Sequence, residues 1–584
     1  MKDQKEWLKA MRHSAEHVLT QAMVRLYPKI LMAMGPATDE GFYFDFDPQG
    51  EKISEVDFPR IEAEMRRIVR ANLPITREEI EPAEAKKLFA DNPFKQGWLK
   101  EIVKRDEKVS IYRTGKEFVD LCSGPHVASS GQIGAFKLLS IAGAYWHGDE
   151  KKQMLTRIYG TAFSTQKELD QYLRQIEEAK KRDHRKIGAK LGLWTFSSLV
   201  GAGLPLFTQK GALLRSLIVQ YVEELQARQG IAQVWTPQIA KAELFKISGH
   251  YDKYQENMFR VRSNYSEEEF FLKPMNCPQH TQIYAATARS YRDLPIRMSD
   301  FAMLYRDEKP GELLGLARVR SFSQDDCHVF CREDQIIDEA NKALDMTQEI
   351  MSAFGFKYRY RLSTRDPEHP EKYIGNDNDW RKAEKLSEQI LQNRKIVYFE
   401  GRGEAAFYAP KMDLIAIDAL GREWQLSTLQ IDFFLPQRFN LTYTDRKGQE
   451  QRPVMLHSAI DGSPERLIMV LLEHCAGALP PWLSPVQVAV LPISDKSLAY
   501  AQKLTQELAE KEIQVELNDK NEPIGAKIRD TEGQKVPYML VVGEREAADG
   551  KVNVRIRGQK KLGEMSPKQF HQLIREDIVK KRQV

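Results

Sequence analysis

Long apolar runs are missing from this chain of 584 residues. The two longest stretches without charge, 191–209 and 475–494, are broken by Gly192, Gly201, Gly203 and Pro205, and by Pro480, Pro481, Pro485 and Pro492. A membrane span needs about 20 mostly apolar helical residues, which glycine and proline at that density forbid. Both stretches read as linkers and loops, and no membrane partner is expected. The first residues carry both signs of charge and lead into an amphipathic segment, so no secretory leader is visible and a cytoplasmic location is expected. Cysteine is scarce: five in all, at 122, 277, 327, 331 and 475. An odd, sparse set argues against a disulfide framework and for reduced thiols. An excess of one charge is also lacking. Lys and Arg number 87 against 83 Asp and Glu, too even a balance to imply non-specific nucleic-acid binding. No Walker A loop or Rossmann fingerprint occurs in residues 191–484, and no internal repeat or low-complexity tract anywhere, which excludes the common glycine-loop nucleotide folds there and solenoids throughout.

What is there is globular sequence long enough for three or four domains of roughly 150 residues. Residues 11–27 place Met11, Ala15, Val18, Leu19, Ala22, Met23 and Leu26 at helical spacing. Helices are expected at 57–70 and 82–90 and a strand over Ile102–Tyr112, making one α+β unit that ends near 165. From 165 to 190 a narrow apolar stripe (Leu169, Leu173, Ile176) and a basic run through Lys186 predict a solvated connector helix. Residues 191–484 mix long helices (211–228, 333–353, 380–393) with short β-rich runs (Phe270–Leu272, Ala409–Ala416, Gln430–Phe434). The irregular order suits an antiparallel sheet better than a βαβ array. Residues 485–584 alternate strands and helices as a small α/β domain, with Lys551, Arg555, Arg557, Lys560 and Lys561 clustered.

Several residues could carry chemistry. His13 and His17 lie i, i+4 on one helix face, and Cys122-Ser-Gly-Pro-His126 brings a thiol and an imidazole around a turn. Spacing leaves a surface coincidence open for each pair; their occurrence in one domain points toward a site. Tyr305-Arg306-Asp307-Glu308 and Arg318-Val-Arg320-Ser-Phe322-Ser-Gln324-Asp325-Asp326-Cys327-His328 put arginines around a turn between strands. Such a pair can grip a nucleoside triphosphate, or can be a surface hairpin with ordinary ion pairs. Cys277 and His457 are remote from His328, and each alone reads as a buried core residue.

These strings resemble a known family. Tyr305 through His328 is similar to motif 2 of the class II aminoacyl-tRNA synthetases, Gly462-Ser463-Pro464-Glu465-Arg466 to motif 3, and 211–237 to motif 1. Ser248-Gly249-His250-Tyr251-Asp252-Lys253-Tyr254, Lys273-Pro-Met-Asn-Cys277-Pro278, Gln324 to His328 and Tyr159-Gly160-Thr161-Ala162-Phe163 narrow the resemblance to the threonyl-tRNA synthetases of bacterial type. It covers nearly the whole chain but begins almost at the editing domain, so the ubiquitin-like domain of most bacterial members is expected to be absent. The resemblance implies an α+β multidomain fold: an editing domain (1–165), a linker helix (166–190), an antiparallel-sheet catalytic domain (191–484) and an α/β anticodon-binding domain (485–584).

It also implies roles. Cys277, His328 and His457 match the family's zinc ligands, and zinc with an open position explains how threonine is told from near-isosteric valine, which an apolar pocket separates only ~100-fold. Asp326, Gln324 and Tyr408 would complete the amino-acid pocket. For ATP, entering with magnesium, Arg306 would meet the α-phosphate, Glu308 and Phe322 the adenine, and Arg318 and Arg466 the distal phosphate. His250 and Gln430 match positions linked to transfer onto tRNA(Thr). Leu426-Ser427 stands where the family usually has Cys-Gly. Serine passes a zinc filter, so a second site is needed; His13, His17, Lys95, Asp120, Cys122 and His126 match the site that hydrolyses serine from mischarged tRNA, expected to need no zinc. Asn521, Glu546 and Arg555 match anticodon-reading positions, with the basic run around Arg555 supplying phosphate contacts, and Pro523 replaces a usual Lys. The implied whole is a homodimer that joins L-threonine to tRNA(Thr); an RNA-binding regulator and a deacylase without charging activity are the alternatives.

Overall fold

The computed structural model describes every residue except Met1, Glu150 and Gln559. It divides into two compact units, Met1–Glu177 and Glu178–Val584.

In the first unit the helix Lys2–Leu26 buries Met11, Ala15, Val18, Leu19, Ala22 and Met23. They pack on the helix Phe58–Arg70 and on a four-stranded antiparallel sheet in the order Leu31–Met34, Phe42–Asp47, Met154–Phe163, Ala135–Tyr145. A three-stranded sheet, Ile75–Glu79, Ser110–Thr114 and Phe118–Leu121, brings the second half of the site. The strand expected from Ile102 starts only at Ser110, because Ile102 belongs to the helix Pro93–Lys104. Asn92 caps that helix, accepting from the amides of Phe94 and Lys95, and Pro93 occupies its first turn. This start signal outweighs the β-branched pair Ile102-Val103.

In the second unit, the segment expected as one linker helix is interrupted. Gln166–Arg182, which crosses the boundary between the units, is followed by a separate helix His184–Leu191. Asp183 leaves helical geometry and its carboxylate accepts from the Arg185 amide, a local hydrogen bond that starts the second helix.

An eight-stranded sheet follows, in the order Ala232–Gln233, Ile296–Tyr305, Ser321–Cys331, Val454–Ala459, Glu423–Asp432, Lys411–Ile417, Lys357–Thr364, Tyr398–Arg402. Only the two edge pairings are parallel. The helices Gln209–Arg228, Ile336–Phe354, Asp377–Asn393 and Pro464–His474 build the main core on one face, which leaves the other face for chemistry. The strand expected over Gln430–Phe434 ends at Asp432, whose Oδ1 accepts from the amides of Phe434 and Leu435 and turns the chain into a short helix.

The last sheet runs Val515–Leu517, Val488–Pro492, Tyr538–Val542, Val552–Ile556, Lys560–Met565, the first three strands parallel and the rest antiparallel. Val488, Val490, Tyr538 and Leu540 pack on one face, Ala489, Leu491 and Met539 on the other, as period-2 alternation requires. Its fifth strand is polar and lies at an edge, which is why hydrophobic patterning does not reveal it. Among the described residues no helix is long and apolar enough to cross a membrane.

Candidate active site

Strand Ser321–Cys331 sets the site. Successive side chains alternate between faces, so Phe322, Gln324, Asp326 and His328 share the face left free by the helices. Register extends this row sideways: His328 pairs with His457, and His457 with Gln430. Cys277 reaches the same face as the first residue of the helix Cys277–Ala285, preceded by Asn276, whose amide donates to Asp326 Oδ2 at 3.1 Å. Cys277, His328 and His457 are all buried, their ligand atoms within 4.8 Å of one another.

This trio fits a metal that takes sulfur and imidazole. His457 Nε2 lies 3.0 Å from Asp432 Oδ2, so its proton sits on Nε2 and Nδ1 offers a lone pair. His328 has its Nδ1 2.7 Å from Nδ1 of His280 and its Nε2 2.9 Å from His457 Nδ1. When His328 donates to His280, two lone pairs face each other across that 2.9 Å gap, an arrangement that a cation resolves. His280 and Asp432 are thus part of the site although the motif strings gave them no role.

Asp326 lies beside the trio, Oδ1 3.6 Å from His328 Nε2, and burial raises its pKa to about 6. Tyr408 stacks near His457 at 5.1 Å between ring centroids. His250 is fully buried, its Nε2 3.3 Å from Met275 Sδ and 3.7 Å from Cys277 Sγ, and burial lowers it to about 3. Gln430 is buried with Oε1 lacking a partner. Lys273, fully buried, donates to Thr236 Oγ1 at 2.7 Å and lies 3.7 Å from Asp300. It is a supporting cation that sequence reading passed over, although the Lys-Pro-Met-Asn-Cys string contains it.

Along the same strand the face opens into a cavity of ≈ 200 Å³ lined by Arg306, Glu308, Arg318, Phe322, Gln324 and Arg466 among others. Arg306 lies over the Phe322 ring at 4.8 Å, and its Nε is buried without a partner. Arg466 donates to Ala317 O at 3.2 Å and Gln425 O at 3.4 Å. Its pKa is lowered by burial and by the charges of Arg306 and Arg318. Three guanidiniums that repel one another in a confined space call for a polyanion. Glu308 is committed to Arg318, with Oε2 2.7 Å from Nη2, and Glu312 joins at 3.0 Å. The loop before Arg466 is fastened from the sheet's other face: Asp325 accepts from the amides of Ile460 (2.6 Å) and Gly462 (3.1 Å). Gly462 has φ +76°, and a Cβ there would stand 2.0 Å from Leu426 O, so only glycine fits. Leu426 and Thr428 line the cavity, while the Ser427 hydroxyl points away to Thr347.

The first unit gathers its own cluster. His13 and His17 on the N-terminal helix, Cys122 and His126 have ligand atoms within 4.8 Å of one another. Cys122 Sγ is 3.4 Å from His13 Nε2 and 3.3 Å from His126 Nε2, and the Ser14 hydroxyl meets His126 Nδ1 at 3.1 Å. Burial lowers His13 and His17, takes His126 down to about 2, and pushes the Cys122 thiol up to about 12. Beside them Lys95 and Asp120, both buried, pair at 2.5 Å. His13, His17, Lys95, Asp120 and Cys122 line one cleft of ≈ 410 Å³. Glu16, fully buried behind His17 and held by Thr20 at 2.7 Å, is raised well above the carboxylate range by burial; its position within the His-x-x-x-His string gave no hint of this.

The C-terminal trio is less gathered. Asn521 is exposed after the strand Val515–Leu517, Glu546 caps the helix Glu544–Asp549 by accepting from Gly543 N at 2.9 Å, and Arg555 pairs with Met539 in the sheet. Arg557, counted in the basic run, is a staple instead: it donates to the carbonyls of Ala478, Leu479, Lys535 and Val584.

Three segments of the chain match known families. Residues 259–475 match the family described as tRNA synthetase class II core domain (G, H, P, S and T), 487–577 the anticodon binding domain, and 109–159 the threonyl and alanyl tRNA synthetase second additional domain. A threonine–tRNA ligase of Rubrobacter xylanophilus is 48% identical, with 99% of this chain and 90% of the relative covered. One of Thermotoga maritima is 44% identical (98% and 88%). The crystal structure titled RNA binding domain of threonyl-tRNA synthetase from Cryptosporidium parvum superposes with TM-score 0.64 at 39% identity, covering 68% of this chain and 98% of that one. A Giardia lamblia prolyl-tRNA synthetase, at 18% identity and TM-score 0.55 over 70% of this chain and 80% of its own, shares the fold.

Proposed function

This chain belongs to the threonine–tRNA ligases, class II aminoacyl-tRNA synthetases, and from that membership we propose how its residues divide the work. The observation that carries the reading is the single strand on which Phe322, Gln324, Asp326 and His328 alternate, joining the arginine-lined cavity to the metal-fitting trio.

ATP, with its magnesium, occupies the cavity. Phe322 stacks the adenine once Arg306 leaves its ring for the α-phosphate; Glu308 meets the base edge, and Arg318 and Arg466 hold the distal phosphate. Zinc on Cys277, His328 and His457 would supply an open position that accepts the amino and hydroxyl groups of threonine together. Asp326 receives the amino group, Gln324 and Tyr408 close the pocket, and the carboxylate is left aimed at the α-phosphorus. Attack there releases pyrophosphate and leaves threonyl-adenylate; Arg306 neutralises the charge that develops. His250 and Gln430 then orient the terminal ribose of tRNA(Thr) for acyl transfer, and the unpartnered Gln430 Oε1 supports that role.

Serine retains both groups that the metal site reads, and losing one methyl costs it only about 1–3 kcal/mol. The cluster in the first unit removes it: His13, His17 and His126, held neutral, position a water with the ribose hydroxyl, while Lys95 bound to Asp120 presents the ester. Asn521, Glu546 and Arg555 read the anticodon, with fewer phosphate contacts than the basic run suggested because Arg557 is spent internally. A homodimer through 211–237 is supported by exposed Phe196, Leu199, Trp235 and Ile239 around that segment, and five free thiols suit the cytoplasm. A charging-incompetent RNA binder and a stand-alone deacylase are not favoured.

The test is amino-acid-dependent ATP–pyrophosphate exchange with zinc assayed in parallel. Strong exchange with threonine, less with serine and none with valine is expected; folded, zinc-loaded protein that exchanges with none of them would sink the assignment of these residues.

A further inference from the structure

A third group of ligand-type side chains, Asp183, His184 and Glu473, lies close enough together to chelate a cation. Its hydrogen bonds give it another task. His184 is buried at the start of the helix His184–Leu191, and both ring nitrogens are engaged: Nδ1 stands 2.6 Å from Glu473 Oε1, and Nε2 accepts from the Leu316 amide at 3.1 Å. The His184 amide also donates to Glu473 Oε1 at 3.0 Å, so this carboxylate closes the helix N-terminus while it fixes the ring's tautomer. With Nδ1–H given to the carboxylate, Nε2 carries the lone pair that Leu316 needs.

Leu316 and Ala317 belong to the loop that lines the arginine cavity. Ala317 O accepts from Arg466 Nε at 3.2 Å. Arg466 and Glu473 stand about two turns apart on the helix Pro464–His474. The contacts therefore close a ring: His184 to Leu316, along one peptide to Ala317, across to Arg466, down the helix to Glu473, and back to His184. Arg422 bonds Glu473 through its second oxygen at 2.5 Å, and Arg182 donates to His474 O at 2.8 Å, which fixes the far side. Gly315, at φ +49°, has no side chain because a Cβ there would stand 2.1 Å from His184 Nε2.

We propose that His184 is a positioning residue for ATP: it holds the 315–318 loop and the Arg466 helix at the separation that presents Arg318 and Arg466 to the triphosphate. This rests on the ATP reading given above. The helix that carries His184 follows directly on Gln166–Arg182, the helix leading out of the first unit, so the ATP loop is fastened to the linker and not only to its own hairpin.

Two near-isosteric substitutions separate the two bonds. His184→Asn keeps a donor where Nδ1 stood and loses the acceptor for Leu316; His184→Gln keeps an acceptor where Nε2 stood and loses the donor to Glu473. ATP affinity is measured by calorimetry, independently of exchange, together with KM for ATP and for threonine and the thermal midpoint. His184→Asn is expected to weaken ATP binding about tenfold, because the loop freed from His184 must then be ordered by ATP itself at a cost of about 1.4 kcal/mol, with threonine KM unchanged. His184→Gln should recover most of that loss. ATP affinity equal to wild type in both variants would overturn the proposal. So would equal losses for ATP and threonine that track the thermal midpoint, since His184 would then only pack. Loss of exchange in wild-type protein that still binds ATP would count against the ligase assignments and leave this inference to be judged on the ATP affinities.

Discussion

Replacing Arg466 with Met removes one of three guanidiniums from the cavity while keeping the volume of its stem. A unit charge about 4 Å from a phosphate charge, at the effective dielectric of about 20 suited to protein sites, is worth roughly 4 kcal/mol, or close to a thousandfold at 1.4 kcal/mol per decade. Part of this returns, because Arg466 in the free protein is desolvated and repelled by Arg306 and Arg318. The expected fall in kcat/KM for ATP is therefore about 100- to 1000-fold. Stability behaves differently. Ala317 O and Gln425 O each lose a donor, at roughly 1 kcal/mol apiece, against relief of the repulsion, so the thermal midpoint should barely move. Pyrophosphate exchange at varied ATP and at varied threonine, with thermal unfolding alongside, measures all three quantities. Arg466→Lys keeps the charge but not the planar fork, and should fall between. A loss below tenfold in the ATP term, or an equal loss in the threonine term, would refute the electrostatic argument.

His328→Ala should lower zinc content and collapse threonine-over-valine selectivity toward the ~100-fold that an apolar pocket can reach; metal analysis and exchange with both amino acids check it, and unchanged zinc with unchanged selectivity removes the metal assignment. Acid should destabilise the first unit through its histidines. His13, His17 and His126 are held neutral with lowered pKa, whereas unfolded imidazoles take protons below about pH 6.5. The three histidines bind more protons in the unfolded state, up to about 4 kcal/mol per pH unit, while Glu16, held protonated in the fold, opposes with about 1.4, so stability present at neutral pH is lost as pH falls by up to about 3 kcal/mol per pH unit. Denaturant unfolding at pH 7 and pH 5 measures this, and His126→Gln should take about 1.4 kcal/mol per pH unit off the slope; identical slopes in the two proteins would contradict it.

Much of the site was legible wherever function lies within one element. His13 and His17 share a helix face by i, i+4 spacing, and Phe322, Gln324, Asp326 and His328 share a strand face by period 2. Pattern misled where a short-range signal competed with it. Asn92-Pro93 started a helix across a β-branched run, Asp183 split the linker, and Asp432 ended a strand two residues early, each through a side-chain hydrogen bond to the backbone. Arg557 looked like a phosphate contact because charge is visible in sequence and burial is not.

Sequence was enough to reach the family, because motifs carry chemistry in short strings. Only the tertiary structure decided which remote residues meet. His457 joins His328 through strand register, Cys277 reaches them from a helix N-terminus, and His280 and Asp432 fix the ring protons. Lys95 finds Asp120 across the first unit, and His184 holds the Leu316 loop. The physical reason is common to all of these. Hydrogen bonds and ligand geometry act over about 3 Å in space, and distance along the chain places no limit on which side chains a folded sheet brings that close.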